Sequence, residues 1–129
     1  DPILGLFFFN NTNGFAVGNN GFMARTVDSG VSWQKISVNN TTRLLRDVHF
    51  FDLNEGFVFG ENGFIAWTND GGLTWQNAVN PIAQNLRGFA VLDAQTVMVV
   101  GDNGTVLKST DRGKTWSELN IGETTNLRT

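Results

Sequence analysis

An eight-residue pattern, Ser/Thr-x-Asp-x-Gly-x-x-Trp, occurs three times in this chain of 129 residues. The copies span residues 26–33, 68–75 and 109–116. The pattern thus returns at a period of about 42 residues, which indicates an array of similar structural units rather than a single-copy fold. The defining residues are, in chain order, Thr26, Asp28, Gly30, Trp33, Thr68, Asp70, Gly72, Trp75, Ser109, Asp111, Gly113 and Trp116.

The pattern has the composition of a tight turn between two short strands. Aspartate accepts hydrogen bonds from backbone N–H groups a few positions on, and glycine adopts conformations that other residues resist. The tryptophan supplies a large apolar anchor whose indole N–H requires a partner. We interpret Asp28, Asp70 and Asp111 as structural, turn-fixing residues, because catalytic carboxylates are needed once or as one close pair.

Each repeat shares further elements. Gly-x-Asn-Gly occurs at residues 18–21, 60–63 and 101–104, with a short apolar run on either side. Asn-Gly in this setting predicts a hairpin turn in which both residues have positive φ. Another apolar run precedes each hairpin, and no segment shows apolar residues at helical spacing over three turns. Four antiparallel strands per repeat are therefore predicted. Those expected in the first repeat are residues 4–9, 15–18, 21–26 and 32–37.

Four antiparallel strands in about 42 residues are typical of a β-propeller blade. We therefore predict an all-β fold of three four-stranded antiparallel blades plus the start of a fourth, as a segment of a larger propeller. The expected repeats are residues 1–42, 43–84 and 85–125, with 126–129 beginning a fourth blade. Three blades cannot close a ring and would leave apolar faces in water. We expect the remaining blades of a parent chain, or self-association, to complete the ring.

Composition narrows the functional classes. The formal net charge of −3 argues against nucleic acid as a partner. The chain has no cysteine and one histidine, so that no ligand cluster is evident and we expect neither a metal nor a cofactor. No apolar run reaches the ~18 residues of a membrane span, and we expect no membrane insertion. The sequence begins at Asp1-Pro2 without Met or a signal peptide, which we interpret as a processed or excised piece.

The repeated turn resembles the Asp-box, or bacterial neuraminidase repeat. The chain as a whole resembles photosystem II assembly-factor-like propellers, whose repeat reads Leu-x-x-Val-x-Phe, then Gly-Phe-x-Val-Gly-x-x-Gly, then Thr-x-Asp-Gly-Gly-x-Thr-Trp. Residues 45–50, 56–63 and 68–75 are similar to these three motifs. The resemblance implies that the box lies at the outer rim, between the third and fourth strands of each blade. It also implies a non-enzymatic, protein-binding role outside the cytoplasm, in a secreted, periplasmic, cell-surface or thylakoid-lumen setting.

An arginine recurs at the start of the innermost strand. Arg46, Arg87 and Arg128 each follow a leucine at the same phase of the repeat, whereas the first repeat has Leu4 there. Arginine suits carboxylate recognition because its planar guanidinium forms two parallel hydrogen bonds. The family that the chain resembles carries an arginine patch thought to contact its membrane-protein client. We expect these arginines to line a channel mouth that binds an acidic peptide segment; pairing of each with a nearby aspartate is the alternative.

Two other functions remain open. A fragment of a secreted glycoside hydrolase would carry the same box, but sialidases use a Tyr nucleophile and this chain has no Tyr. Glucan-cleaving relatives use two carboxylates on the channel face, for which Asp47 is the one candidate. A structural propeller of a bacterial surface protein is the third possibility. We expect His49, set in an apolar strand, to be packed in the core, and we expect no catalytic residue in this segment.

Overall fold

The computed structural model of this chain describes residues 3–79 and 82–119, which form β-strands joined by short turns. Twelve strands are present within these ranges, and they form three four-stranded antiparallel sheets in which consecutive strands are neighbours. The first sheet contains β1 (Ile3–Phe8), β2 (Gly14–Gly18), β3 (Met23–Thr26) and β4 (Gln34–Lys35). The second contains β5 (Leu45–Phe50), β6 (Gly56–Gly60), β7 (Ile65–Thr68) and β8 (Gln76–Asn77). The third contains β9 (Leu86–Val91), β10 (Val97–Gly101), β11 (Val106–Ser109) and β12 (Ser117–Glu118).

The predicted all-β architecture of four-stranded antiparallel blades is confirmed, and the three sheets are called blades 1, 2 and 3 below. The strands of blade 1 differ in length from the expectation. The third strand begins at Met23 because Asn19–Gly21 form a single 3-10 turn, in which Asn20 and Gly21 have the positive φ values of 57° and 72° that Asn-Gly predicts. The fourth strand is only Gln34–Lys35.

The core lies in the contacts between neighbouring blades, here called seams. At the first seam, side chains of blade 1 such as Val17 and Met23 pack with Leu45 and Val48 of blade 2. At the second seam, blade 2 and blade 3 bury a second cluster that includes Phe57 of β6 and Val99 of β10. Blade 2, the middle sheet, is therefore apolar on both faces, which explains the near-continuous apolar runs in its inner strands.

A β-bulge recurs at the same place in the first strand of every blade. The pairing of β1 with β2 skips Leu4, that of β5 with β6 skips Arg46, and that of β9 with β10 skips Arg87. A bulge leaves one residue out of the ladder and redirects its side chain. The recurring arginine position is thus a local irregularity built into each blade.

No helix in residues 3–79 and 82–119 is long and apolar enough to cross a membrane.

Candidate functional site

Each Asp-box closes on itself through the same set of hydrogen bonds. In the first box, Thr26 Oγ1 donates to Asp28 Oδ1 at 2.8 Å, and Ser32 Oγ donates to Asp28 Oδ2 at 2.6 Å. The Gly30 N–H donates to Thr26 Oγ1 at 2.9 Å, and Trp33 Nε1 donates to the Gly30 carbonyl at 3.1 Å. Both carboxylate oxygens therefore accept hydrogen bonds inside the turn.

The second and third boxes repeat this geometry. The indole N–H groups of Trp75 and Trp116 donate to the carbonyls of Gly72 and Gly113 at 3.0 and 2.9 Å. The hydroxyl residues that open these boxes are Thr68 and Ser109, which donate to Asp70 and Asp111.

These hydrogen bonds keep the box carboxylates ionised. Hydrogen bonds from Ser32 and Thr26 lower the pKa of Asp28 to about 2. Burial works to raise the pKa of Asp70 and of Asp111, but hydrogen bonds from a threonine in each box outweigh it and both pKa values are lowered. A general acid would need the opposite shift. No group of His, Asp and Glu with metal-binding geometry occurs in the part of the chain that the structure describes.

The recurring arginines meet at the seam between blades 2 and 3. Arg46 and Arg87 line one pocket of about 120 Å³, together with Leu44, Glu61, Asn85 and Leu86. The bulges at Arg46 and Arg87 direct both side chains to this end of the strands. Arg128 lies outside the described residues, and blade 1 has Leu4 at the equivalent bulge.

The two arginines differ in their electrostatic partners. Arg87 Nε donates to Asp102 Oδ1 at 2.5 Å and its Nη2 donates to Oδ2 at 3.2 Å, and this ion pair raises the pKa of Arg87. Arg46 has no hydrogen bond or salt bridge from its side chain within residues 3–79 and 82–119. Burial raises the carboxyl pKa of the adjacent Asp47, while the Val48 N–H and the charge of Arg46 act to lower it.

Sequence reasoning missed the acidic residues beside the arginines. Glu61 and Asp102 occupy the variable position of Gly-x-Asn-Gly in blades 2 and 3, where blade 1 has Asn19. An acidic residue therefore occurs in the two described repeats that carry the arginine and is missing from the repeat with leucine. This correlation is visible in the sequence and could have predicted that the acid lies near the arginine. The two acids act differently, because Glu61 Oε1 accepts the Leu44 N–H at 2.8 Å instead of binding Arg46.

His49 lies among aromatic rings from all three blades. Its ring centroid is 5.1 Å from that of Phe7, 5.0 Å from Phe51 and 5.5 Å from Phe89. Burial lowers the pKa of the imidazole. This is the packed position expected from the sequence.

Comparison with solved structures places the fold among propellers. A structure of YCF48 bound to a D1 peptide is 25% identical, with a TM-score of 0.80, and the match covers 97% of this chain and 41% of that one. YCF48 from Cyanidioschyzon merolae is 18% identical, with a TM-score of 0.78 over 94% of this chain and 40% of that one. An ancestral GH74 enzyme shares the fold at 17% identity and a TM-score of 0.73, covering 94% of this chain and 19% of that one.

These three structures are longer proteins, and the present chain spans about two fifths of the length of the two YCF48 structures. The three blades thus correspond to a segment of a larger propeller. No curated protein matches the sequence. The family model for the photosynthesis system II assembly factor YCF48 matches residues 29–126. This match covers most of the chain, which therefore belongs to the YCF48 assembly-factor family of Asp-box propellers.

Proposed function

We propose that this chain is a non-enzymatic interaction scaffold that binds an acidic peptide segment at the Arg46–Arg87 pocket. The observation that carries the proposal is the unpaired guanidinium of Arg46 beside Arg87 in one pocket. A carboxylate would gain charge-assisted hydrogen bonds there without displacing an existing ion pair at Arg46. A YCF48 structure that contains a D1 peptide supports a peptide as the ligand.

The roles that we propose for the two arginines are unequal. Arg87 is held by Asp102 and supplies positive potential from a fixed position. Arg46 is free to form the direct hydrogen bonds to an incoming carboxylate. Glu61 lies in the same pocket, but it accepts the Leu44 N–H. Its negative charge offsets part of the positive potential that the two arginines create in the pocket.

Fluorescence anisotropy with a labelled acidic peptide tests the proposal. Arg46→Glu should weaken binding by at least about tenfold, which corresponds to the loss of one charge-assisted hydrogen-bonding partner. Arg46→Leu, which copies the residue of blade 1, should weaken it less. Arg25→Glu is the matched control because it makes the same charge change away from the pocket.

The ionic character of the site gives a second readout. Affinity for the acidic peptide should fall as salt rises, whereas a neutral peptide of equal length should bind weakly at all salt concentrations. If the parent chain and Arg46→Glu bind the acidic peptide with equal affinity, the peptide does not bind at the Arg46–Arg87 pocket. Arg87→Glu is less informative, because the new carboxylate would face Asp102 and disturb the blade.

Two finer points belong to the same proposal. Family membership supports an extracytoplasmic setting, such as the thylakoid lumen, for the parent protein. Fractionation of the native host with an antibody against the chain tests this, and a purely cytoplasmic signal would contradict it. We also propose that further blades or self-association complete the ring, which is supported by the greater length of the YCF48 structures that the chain matches.

A further inference from the structure

A pocket of about 240 Å³ lies at the first seam, between blades 1 and 2. Both of its walls belong to the described parts of these two blades, so the pocket does not depend on the ends of the chain. Its lining includes Phe9, Asn13 and Arg25 of blade 1 and Leu53, Asp70 and Gly71 of blade 2.

The equivalent space at the second seam is filled by an arginine. Arg112 of blade 3 lies over the ring of Phe51, 5.6 Å from its centroid, and its Nε donates to the Ala94 carbonyl at 2.7 Å. Blade 2 has Gly71 in place of Arg112, and Leu53 in place of Ala94. A Cβ at Gly71 would lie 3.3 Å from the Leu53 carbonyl oxygen, which accepts no hydrogen bond within residues 3–79 and 82–119. The first seam therefore has both open space and an unused acceptor.

The wall of blade 1 that borders this space is basic, whereas its counterpart in blade 2 is acidic. In blade 2, Asp52 and Glu55 hold Arg112 by ion pairs. Blade 1 has neutral amides at these two positions and a cation at a third: Asn10, Asn13 and Arg25 replace Asp52, Glu55 and Trp67. A cation such as Arg112 would thus meet no acid on this wall, and an anion is favoured instead.

Arg25 is the source of this positive charge. It is half-buried, and its side chain has no hydrogen bond or salt bridge within residues 3–79 and 82–119. The acidic residues that also line the pocket are already engaged, since Asp52 pairs with Arg112 and both carboxylate oxygens of Asp70 accept hydrogen bonds inside its own box. A carboxylate is the ligand group that best matches a free guanidinium, because it accepts two parallel hydrogen bonds.

We infer that this site, called the Arg25 pocket, binds a small aromatic carboxylate that also carries a hydrogen-bond donor. The carboxylate pairs with Arg25, and the donor satisfies the Leu53 carbonyl. The aromatic ring lies over Phe9, as the Arg112 guanidinium lies over Phe51. The volume of about 240 Å³ is just below the 300–1,000 Å³ of most small-molecule sites, which limits the ligand to about one ring.

Titration of the chain with para-hydroxybenzoate, followed by heteronuclear NMR of the backbone amides, tests the inference. This probe supplies the ring, the carboxylate and an O–H donor, and saturable shift changes are expected at Phe9, Arg25 and Leu53. Benzoate, which lacks the donor, should bind more weakly. The neutral para-hydroxybenzamide should bind at least about tenfold more weakly. The inference is overturned by shift changes confined to other parts of the chain, by the absence of saturable binding, or by a probe that binds no better than benzoate or its own amide.

Two variants alter the Arg25 pocket in different ways. Arg25→Gln removes the charge and should weaken binding of para-hydroxybenzoate by at least about tenfold. Gly71→Arg keeps Arg25 but fills the space, as Arg112 does at the second seam, and should abolish binding. Arg112 has a φ of 64°, close to the 75° of Gly71, so arginine already adopts this turn conformation in blade 3. Unchanged binding in either variant overturns the inference.

Arg43→Gln is the matched control, because Arg43 lines neither the Arg25 pocket nor the Arg46–Arg87 pocket. It should leave binding of para-hydroxybenzoate unchanged. The labelled acidic peptide is measured on the same variants, since the two pockets share no lining residue. Arg25→Gln should retain peptide binding. Loss of both ligands in this variant would place Arg25 in the peptide-binding surface and overturn the inference. Circular dichroism establishes that each variant is folded.

Discussion

Gly72 of the second Asp-box lies directly against the ring of Phe15 in the neighbouring blade. A Cβ at Gly72 would be 2.8 Å from Cε2 of Phe15, which is closer than non-bonded carbon atoms approach. Phe15 is held in place because its ring stacks on Phe50 with centroids 4.5 Å apart. The box glycine therefore serves two purposes: it supplies the left-handed turn, and it lets the preceding blade approach closely.

The substitution Gly72→Ala separates these two purposes when it is compared with Gly30→Ala. Both glycines have similar positive φ, 90° and 87°, so the backbone strain of an alanine is matched. Only the alanine at position 72 meets a buried ring. We expect Gly72→Ala to lower the free energy of unfolding by about 1–3 kcal/mol more than Gly30→Ala, the usual cost of overpacking a core.

Urea denaturation followed by tryptophan fluorescence measures the stability of both variants. Equal losses in the two variants would mean that Phe15 moves away at no cost, and that the glycine is needed for its φ alone.

Local features were predictable because their hydrogen bonds form within a few residues. The Asp-box turn and the positive φ of Asn20, Asn62 and Asn103 follow from residue chemistry in the sequence. The four-strand order followed from the spacing of these turns. The short length of the fourth strands could not be predicted in the same way. Only two residue pairs join β3 to β4, and the number of pairs depends on the direction in which the chain leaves the turn.

The candidate site was predictable only in part. The repeat phase identified Arg46 and Arg87, but it gave no sign that each lies at a bulge, since a bulge depends on the register with the next strand. The pairing of Arg87 with Asp102, and the freedom of Arg46, also depend on whether the nearby acid bonds a backbone N–H instead. The repeat pattern does not determine which of these competing partners an acid binds.

Acid should destabilise the chain through Asp28. Its pKa in the folded chain is about 2, below its ordinary value, because Ser32 and Thr26 donate hydrogen bonds to the carboxylate. A lowered carboxyl pKa stabilises the folded state above the unfolded pKa of about 3.9, and this contribution is lost as pH falls through the folded pKa. The midpoint of thermal unfolding should drop between about pH 4 and pH 2.

The substitution Asp28→Asn tests the assignment. It should lower stability at pH 7 and reduce the slope of stability against pH in the acid range, because the two remaining boxes still titrate. If the slope of stability against pH in the acid range is the same in this variant as in the parent chain, the pH dependence comes from other carboxylates.

A second pH dependence should come from His49. Burial among the rings of Phe7, Phe51, Phe57 and Phe89 lowers its pKa, so the folded chain holds the neutral imidazole. Protonation then favours the unfolded state. Stability should be constant above about pH 6.5, the ordinary histidine pKa, and should fall as pH decreases from there towards the lowered folded value.

His49→Phe keeps a ring at this position and removes the titration. Chemical denaturation at pH 7.5 and pH 5.5 should show a loss of stability for the parent chain and a smaller loss for the variant. A parent chain equally stable at both pH values would mean that His49 is solvated in its protonated form without disrupting the cluster.

A group of ion pairs, here called the charge clamp, joins blades 2 and 3 at the second seam. Arg112 Nη1 lies 2.8 Å from Asp52 Oδ2 and 2.8 Å from Glu55 Oε1, and Lys114 Nζ lies 2.7 Å from Glu55 Oε2. The Arg112 guanidinium also lies over the ring of Phe51, 5.6 Å from its centroid. Blade 2 has Gly71 at the position of Arg112, and no equivalent ion pair joins it to blade 1 among residues 3–79 and 82–119.

Arg112→Gly should loosen the second seam in a salt-dependent manner. Arg112 has a φ of 64°, so glycine relieves strain in the turn while the clamp is lost. Strain relief does not depend on salt, whereas the ion pairs are screened by it. The difference in stability between the parent chain and Arg112→Gly should therefore shrink as sodium chloride rises from low to molar concentration. Arg25→Gln is the control, because Arg25 has no ion pair in the described chain and its effect should not vary with salt. A salt-independent difference for Arg112→Gly would show that the seam is held by the contact with Phe51 and by packing, and not by the charges.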